Sequence, residues 1–288
     1  MSGVPPVSTM VLRIAPLERS MSTHYLKDEQ QTSWFAARRA ATAAAFLLPH
    51  LEAGMNIVDI GCGAATITLD LARIVYPGHV IGIERDEGQL ARARANLQAA
   101  DLDNVTIIRG DANDLDLLPD SLDAIVAFST LEYLPDPQRV LLDAYRALKP
   151  GGLFAARDRA LDGDVIGGAL RQRILDEWEL IARVWEGYLD VRIGHRLRGM
   201  LAEAGFDRVQ ASASHEVWGT EEQMVDLLAL HRGAMGPEGW SRKLHLESGL
   251  IDEAGLDEQY RVHHQWAADP GAWFAVCRAE VVGWKSSS

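Results

Sequence analysis

Residues 57–75 constrain this chain more than any others. Ile57, Val58, Asp59 and Ile60 make a short, mostly apolar run; Gly61, Cys62, Gly63, Ala64 and Ala65 follow; and from Thr66 the apolar residues recur at helical spacing. A β-branched run, a glycine turn and an amphipathic helix in direct succession open a βαβ unit. Glycine at 61 and 63 permits a tight turn and lets a ligand approach where a Cβ would collide, and the following helix offers unpaired amides.

From Asn56 onward such runs alternate with longer helical patterns, which predicts an α/β, doubly wound and mostly parallel sheet. Strands are expected at Ile57 to Ile60, Val80 to Glu84, Val105 to Arg109, Leu122 to Phe128 and Leu153 to Arg157. These runs are apolar on both faces, so helices must cover both. The covering helices are expected at about Thr66 to Val75, Glu87 to Ala100 and Pro137 to Leu148; Pro137 suits a first turn, and Lys149, Pro150, Gly151 and Gly152 suit a stop. Ahead of the first strand, a helix from about Thr32 to Leu48 is placed to cap the strand ends. Beyond the fifth, a helical stretch from Val165 to Tyr188 and a helix from His195 to Ala204 lead to a strand from Arg208 to Val217. Helical segments over Glu221 to Trp266 and a last strand from Trp273 to Val282 complete the pattern. The expected organisation is a poorly ordered leader over 1–21, a helical cap over 22–50, a cofactor-binding core over 51–160, and substrate-binding helices with the last two strands over 161–288.

Two cofactor classes use such a turn, and its last position separates them. A dinucleotide wants Gly or Ala at the end of G-x-G-x-x-G/A, where this chain has the β-branched Thr66. S-adenosylmethionine wants Asp-x-Gly-x-Gly-x-Gly: Asp59, Gly61 and Gly63 fit, and Ala65 replaces the last glycine by adding one methyl. Glu84, with Arg85 beside it, ends the second strand near the roughly 20-residue interval at which an acid accepts from ribose hydroxyls. Asp111 follows the third strand, placed to accept from an adenine amine with the amide of Ala112 facing a ring nitrogen. Each alone is an ordinary turn or a solvated acid. Together, on successive strand ends, they point to one ligand crevice.

At these residues the chain resembles the class I S-adenosylmethionine-dependent methyltransferases, and within them the small-molecule enzymes of ubiquinone and menaquinone biosynthesis. Val58 to Leu71, Ile108 to Ala112 and Ala124 to Gly152 match that family's order and spacing. The resemblance implies a Rossmann-like seven-stranded sheet with one antiparallel strand, an N-terminal helical cap and helical insertions after strands 5 and 6. It also implies roles: Gly61 and Gly63 beneath the methionine part of the cofactor, Glu84 on the ribose, Asp111 and Ala112 on the adenine, and Ser129 beside the ammonium. Tyr25 and Arg38 stand where related folds place a tyrosine and an arginine on the cofactor's carboxylate, a group an arginine fork suits. Tyr133 stands at a usual histidine position.

The implied reaction moves a methyl group from S-adenosylmethionine to a small molecule, an aromatic or secondary-metabolite carbon, nitrogen or oxygen nucleophile. The sulfonium already activates the methyl, so the protein chiefly positions the acceptor and excludes water. A phenol, amine or enol-like carbon gains from a nearby base, and Tyr133, Asp158 and His231 are the candidates. Seven of the eight tryptophans follow the core motifs; most must pack, and Trp185 and Trp218 are expected to bind substrate. His263 and His264 are adjacent, with no cysteine or third histidine at ligand spacing, so no metal is expected.

A formal charge of -13 repels polyphosphate backbones and anionic lipid, so neither nucleic acid nor membrane is expected as a partner. Phe128, Ser129, Thr130 and Leu131 also differ from the Asn/Asp-Pro-Pro-aromatic motif of base-modifying enzymes. Two cysteines, Cys62 and Cys277, suit free thiols in a reducing, cytoplasmic setting, and a homodimer is open. Two competing readings stand beside methyl transfer. An NAD(P)-dependent oxidoreductase is disfavoured by Thr66 and Asp111, and a non-catalytic S-adenosylmethionine-binding partner protein would keep the same motifs.

Overall fold

The computed structural model describes residues 34–287. Strands β1 (Ile57–Ile60), β2 (Val80–Glu84), β3 (Val105–Arg109), β4 (Leu122–Phe128) and β5 (Leu148–Arg159) run parallel in the order β3-β2-β1-β4-β5. β8 (Phe274–Trp284) is antiparallel to β5 and, on its other edge, to β7 (Arg208–Trp218). It is the one strand that runs against the rest.

Side-chain alternation explains the layers. Val58, Ile60, Ile81, Ile83, Ile125 and Phe154 enter one core, while Ile57, Val80, Val105, Ala124, Val126 and Leu153 enter another. Successive strand residues face opposite sides, so each strand feeds both cores and helices must close both. α2 (Thr66–Val75) and α3 (Glu87–Ala100) follow β1 and β2, and α4 (Pro137–Ala147) follows β4. α4 begins with Pro137 behind Asp136, whose carboxylate accepts from the Arg139 amide, an N-cap that fixes where the helix starts.

The outer segments depart from expectation. The continuous cap helix from Thr32 to Leu48 does not form: Arg39 is extended, and only a short α1 (Ala40–Ala43) and a 3-10 turn (Leu48–His50) follow. The break has a tertiary cause, because the Ala40 amide donates to Asp70 and Arg38 turns inward to Ser129 and Glu216. Nor does a helix begin at Val165. Val165 and Ile166 form a short strand, β6, against Ala275 and Phe274, giving eight strands rather than seven. Gly168, at φ +95°, then turns the chain into α5 (Arg171–Val184). The helix expected at His195 to Ala204 is α6 (Leu197–Glu203).

Beyond the end of β5, β8 continues between β6 and β7. There α5 and two later helices, α7 (Glu221–Met235) and α9 (Glu253–Ala267), close a third apolar cluster that includes Ile174, Trp218, Met224, Leu227, Val262 and Phe274. The short α8 (Arg242–Ser248) lies between α7 and α9 in sequence. No helix among the described residues is long and apolar enough to cross a membrane.

Candidate active site

The strand tips from β1 to β4 enclose two hollows that share Gly61 and Ser129. Glu84, Arg85, Asp111, Ala112 and Tyr133 line the first; Phe35, Arg38, Asp59 and Gly63 line the second. Glu84 accepts from the amides of Gly63, Arg85 and Asp86 at 2.8–3.0 Å, which ties the glycine turn to β2. Burial pushes its carboxyl up, and those amides pull it back. Asp111 uses Oδ1 on the amide and side chain of Asn113. Its other oxygen takes no donor among the described residues.

Gly61 and Gly63 hold φ of +73° and +55°. A Cβ on Gly63 would meet nothing within 4 Å, while one on Gly61 would lie 2.5 Å from Thr130 Oγ1. Ala65, at the motif's usual third glycine, also has positive φ, +62°, and is fully buried. The left-handed conformation costs an alanine about 1–2 kcal/mol. Its buried methyl returns about 0.8 kcal/mol, and a glycine would add about 0.5–1 kcal/mol of backbone entropy to the cost of folding. These terms nearly cancel, so Ala65→Gly is expected to change unfolding free energy by less than about 1 kcal/mol, measured by urea titration. A larger gain would mean that the turn is strained beyond this account.

The second hollow carries the charge. Asp59 accepts from Thr68 Oγ1 at 2.6 Å, and burial raises its carboxyl to about 7. Ser129 adopts φ +50°, and its hydroxyl accepts from Arg38 Nη1 at 2.8 Å. Arg38 in turn pairs with Glu216 at 3.1 Å, and Glu216 also meets Arg157 at 2.8 Å and Arg278 at 3.7 Å. Burial works against both partners: it lowers the Arg38 guanidinium to about 10 and pushes Glu216 up, yet the three arginines hold Glu216 at about 2. Arg157 further contacts Glu280, and Arg278 contacts Glu132. Three cations thus face three anions, the balance a buried network needs.

A separate, larger cavity lies under α5, α7 and α9, walled by Trp34, Trp178, Trp185, Trp218, Trp240 and Phe274 among others. Phe35 lines both this cavity and the second hollow, and Tyr133 lines both it and the first. The cavity therefore adjoins the cleft on both sides of the Gly61–Ser129 waist. Trp185 stacks on Trp240, and Trp218 on Phe274.

Of the three candidate bases, Tyr133 and His231 face the cavity. Asp158 does not. It is wholly buried, lines none of these hollows, and its Oδ1 accepts from the amides of Thr130 and Glu132. Burial beside Glu132 raises it to about 8. Its two bonds hold the loop after β4. Tyr25 lies outside the described residues. His263, which spacing left without a role, meets His231 and Glu177 on the cavity wall. Glu177 went unnoticed in the sequence, although one signal was there: an acid among Ile174, Trp178 and Ile181, the apolar positions of α5.

Known proteins give the same picture. The methyltransferase domain family matches residues 51–205. The chain is 28% identical over 285 residues to a probable methyltransferase, ltbC, of Aspergillus luteorubrus, covering 90% of this chain and 93% of that one. It is 37% identical over 112 residues to the demethylmenaquinone methyltransferase of Listeria welshimeri, spanning 38% of this chain and about half (48%) of that protein. Among solved structures, the YcgJ protein of Bacillus subtilis superposes with a TM-score of 0.59 at 17% identity, over 86% of this chain and all of that one. A Haemonchus contortus phosphoethanolamine N-methyltransferase holding S-adenosylhomocysteine gives 0.53 at 17% identity, over 85% and 52%. With the glycine turn, the two strand-end acids and the matched sheet in register, the chain belongs to the methyltransferase domain family and is a class I S-adenosylmethionine-dependent methyltransferase.

Proposed function

We propose that the enzyme methylates an aromatic small molecule of secondary metabolism, held in the tryptophan-rich cavity while the cofactor lies along the cleft. The observation that carries this reading is the shared wall: Phe35 and Tyr133 belong to both spaces, so an acceptor in one can face a methyl group in the other. Flat apolar ligands suit walls of stacked indoles. Bound S-adenosylmethionine supplies an activated methyl on a sulfonium. Glu84 and Asp111 would hold the adenosine end; Asp59, Ser129 and Arg38 would hold the amino-acid end. Trp185 and Trp218 would hold the acceptor, with α5, α7 and α9 keeping water away.

The reading is tested by incubating the enzyme with labelled cofactor and extracts rich in aromatic metabolites. A labelled product whose formation falls on Trp218→Ala supports it, and label confined to non-aromatic acceptors overturns it. Asp59 adds a pH signature. In the ligand-free protein its carboxyl, raised to about 7, favours folding fully below the usual carboxylate range, and that contribution is lost as pH rises through 7. A ligand ammonium wants the ionised form. Affinity for S-adenosylhomocysteine is therefore expected to rise about tenfold per pH unit up to about 7 and then level off. Asp59→Asn should flatten the profile, as measured by calorimetry.

A further inference from the structure

We propose that Glu177, His231 and His263 form a proton-accepting site for the hydroxyl of a phenolic acceptor in the aromatic cavity, a proposal that rests on the cavity reading above. One residue comes from each of α5, α7 and α9, and all three line the cavity. Glu177 Oε1 lies 2.8 Å from His231 Nε2, and Oε2 lies 3.1 Å from His263 Nδ1. An ionised carboxylate only accepts, so both facing nitrogens carry hydrogen. In neutral imidazoles that leaves His231 Nδ1 and His263 Nε2 as lone-pair acceptors, and both are buried without a partner among the described residues.

Charge fixes the capacity of the site. No lysine or arginine pairs with Glu177 among the described residues, and its two partners are the imidazoles. Tyr260 and His264 on α9 flank His231, and Glu177 acts electrostatically on His245 of α8; none is a permanent cation. With both imidazoles neutral the triad carries one buried negative charge, which one added proton neutralises. A second proton would set two imidazolium rings face to face at 3.7 Å, a strongly repulsive arrangement in an apolar setting. The site takes one proton: the acceptor's O–H bond breaks, its electron pair stays on oxygen, and an N–H bond forms on His263 Nε2, because burial holds the His231 imidazole well below its usual range. A phenol has such a proton to give, whereas a neutral amine attacks through a lone pair it already holds.

The same three donors lie within 4.8 Å of one another, close enough to suggest a metal. The ring planes argue otherwise. A metal sits near the plane of each imidazole that binds it, and planes only 7° apart in stacked rings do not converge on one ion.

The test uses 4-nitrophenol, whose anion absorbs apart from its neutral form. It is titrated into the 288-residue chain saturated with S-adenosylhomocysteine, at a pH where the free probe stays neutral. Bound probe is expected to show the phenolate band, with ionisation at least tenfold more favourable than in solution, about one pH unit. Glu177→Gln should bind the probe in its neutral form, and His263→Asn, a second variant should the first not fold, should weaken the band. Neutral bound probe in the wild type, an unchanged band in both variants, or no quenching of tryptophan fluorescence by the probe each overturns the proposal. Adenosylhomocysteine uptake, measured alongside, separates the failures: its absence in the wild type would sink the cofactor assignment, whatever the probe does.

Discussion

Glu216→Gln is expected to destabilise the protein by about 3–5 kcal/mol, because it leaves Arg38, Arg157 and Arg278 crowded and buried without their shared counter-charge. Linkage gives a similar size. A carboxyl held at about 2 instead of its usual 4.5 contributes roughly 3 kcal/mol at neutral pH, present in full above the unfolded value and lost as pH falls toward 2. The melting temperature should drop by roughly 6–15 °C. Cofactor affinity should fall too, since Arg38 reaches Ser129 from its place against Glu216. Denaturant titration of both proteins at pH 7 and pH 4 checks this, and the difference between them should narrow at the lower pH. A loss below about 1 kcal/mol would mean that water already screens the network.

Gly61→Ala should abolish cofactor binding to within measurement, at least about 100-fold, while costing about 2–3 kcal/mol of stability. Two effects add. The backbone there sits at φ +73°, and the new methyl would meet Thr130 Oγ1 at 2.5 Å. Thr130 cannot easily yield: its hydroxyl donates to the Ile60 carbonyl and its amide to Asp158. Displacement would therefore move the loop that carries Ser129, across the waist that both halves of the cleft share. Calorimetry with S-adenosylhomocysteine on the folded variant gives the answer, with Ala65→Gly as the turn-only control. Affinity within tenfold of wild type would show that the cofactor does not pass over Gly61.

These two residues also mark how differently the site's parts could be foreseen. The Gly61 turn is legible because strand, turn and helix are set by neighbours in sequence. Glu84 and Asp111 are legible because parallel strands of matched length end on one edge. Arg38 stands out in the sequence by its position, but its partner Glu216 is 178 residues away, and no local pattern links them. Asp158 is the complementary case. A strand-end acid reads the same whether it faces the cleft or the underside of a loop.

The sequence by itself determined the doubly wound core, the helices over both its faces and the cofactor edge, because alternation, helical period and positive-φ glycines act within a few residues. Tertiary structure alone decided the broken cap, the strand at Val165 and the meeting of Glu177 with His231 and His263, 54 and 86 residues distant. Those outcomes depend on which helices pack over the end of β8. That packing is a competition among distant surfaces, settled by the burial of whole faces and by the pairing of every buried charge.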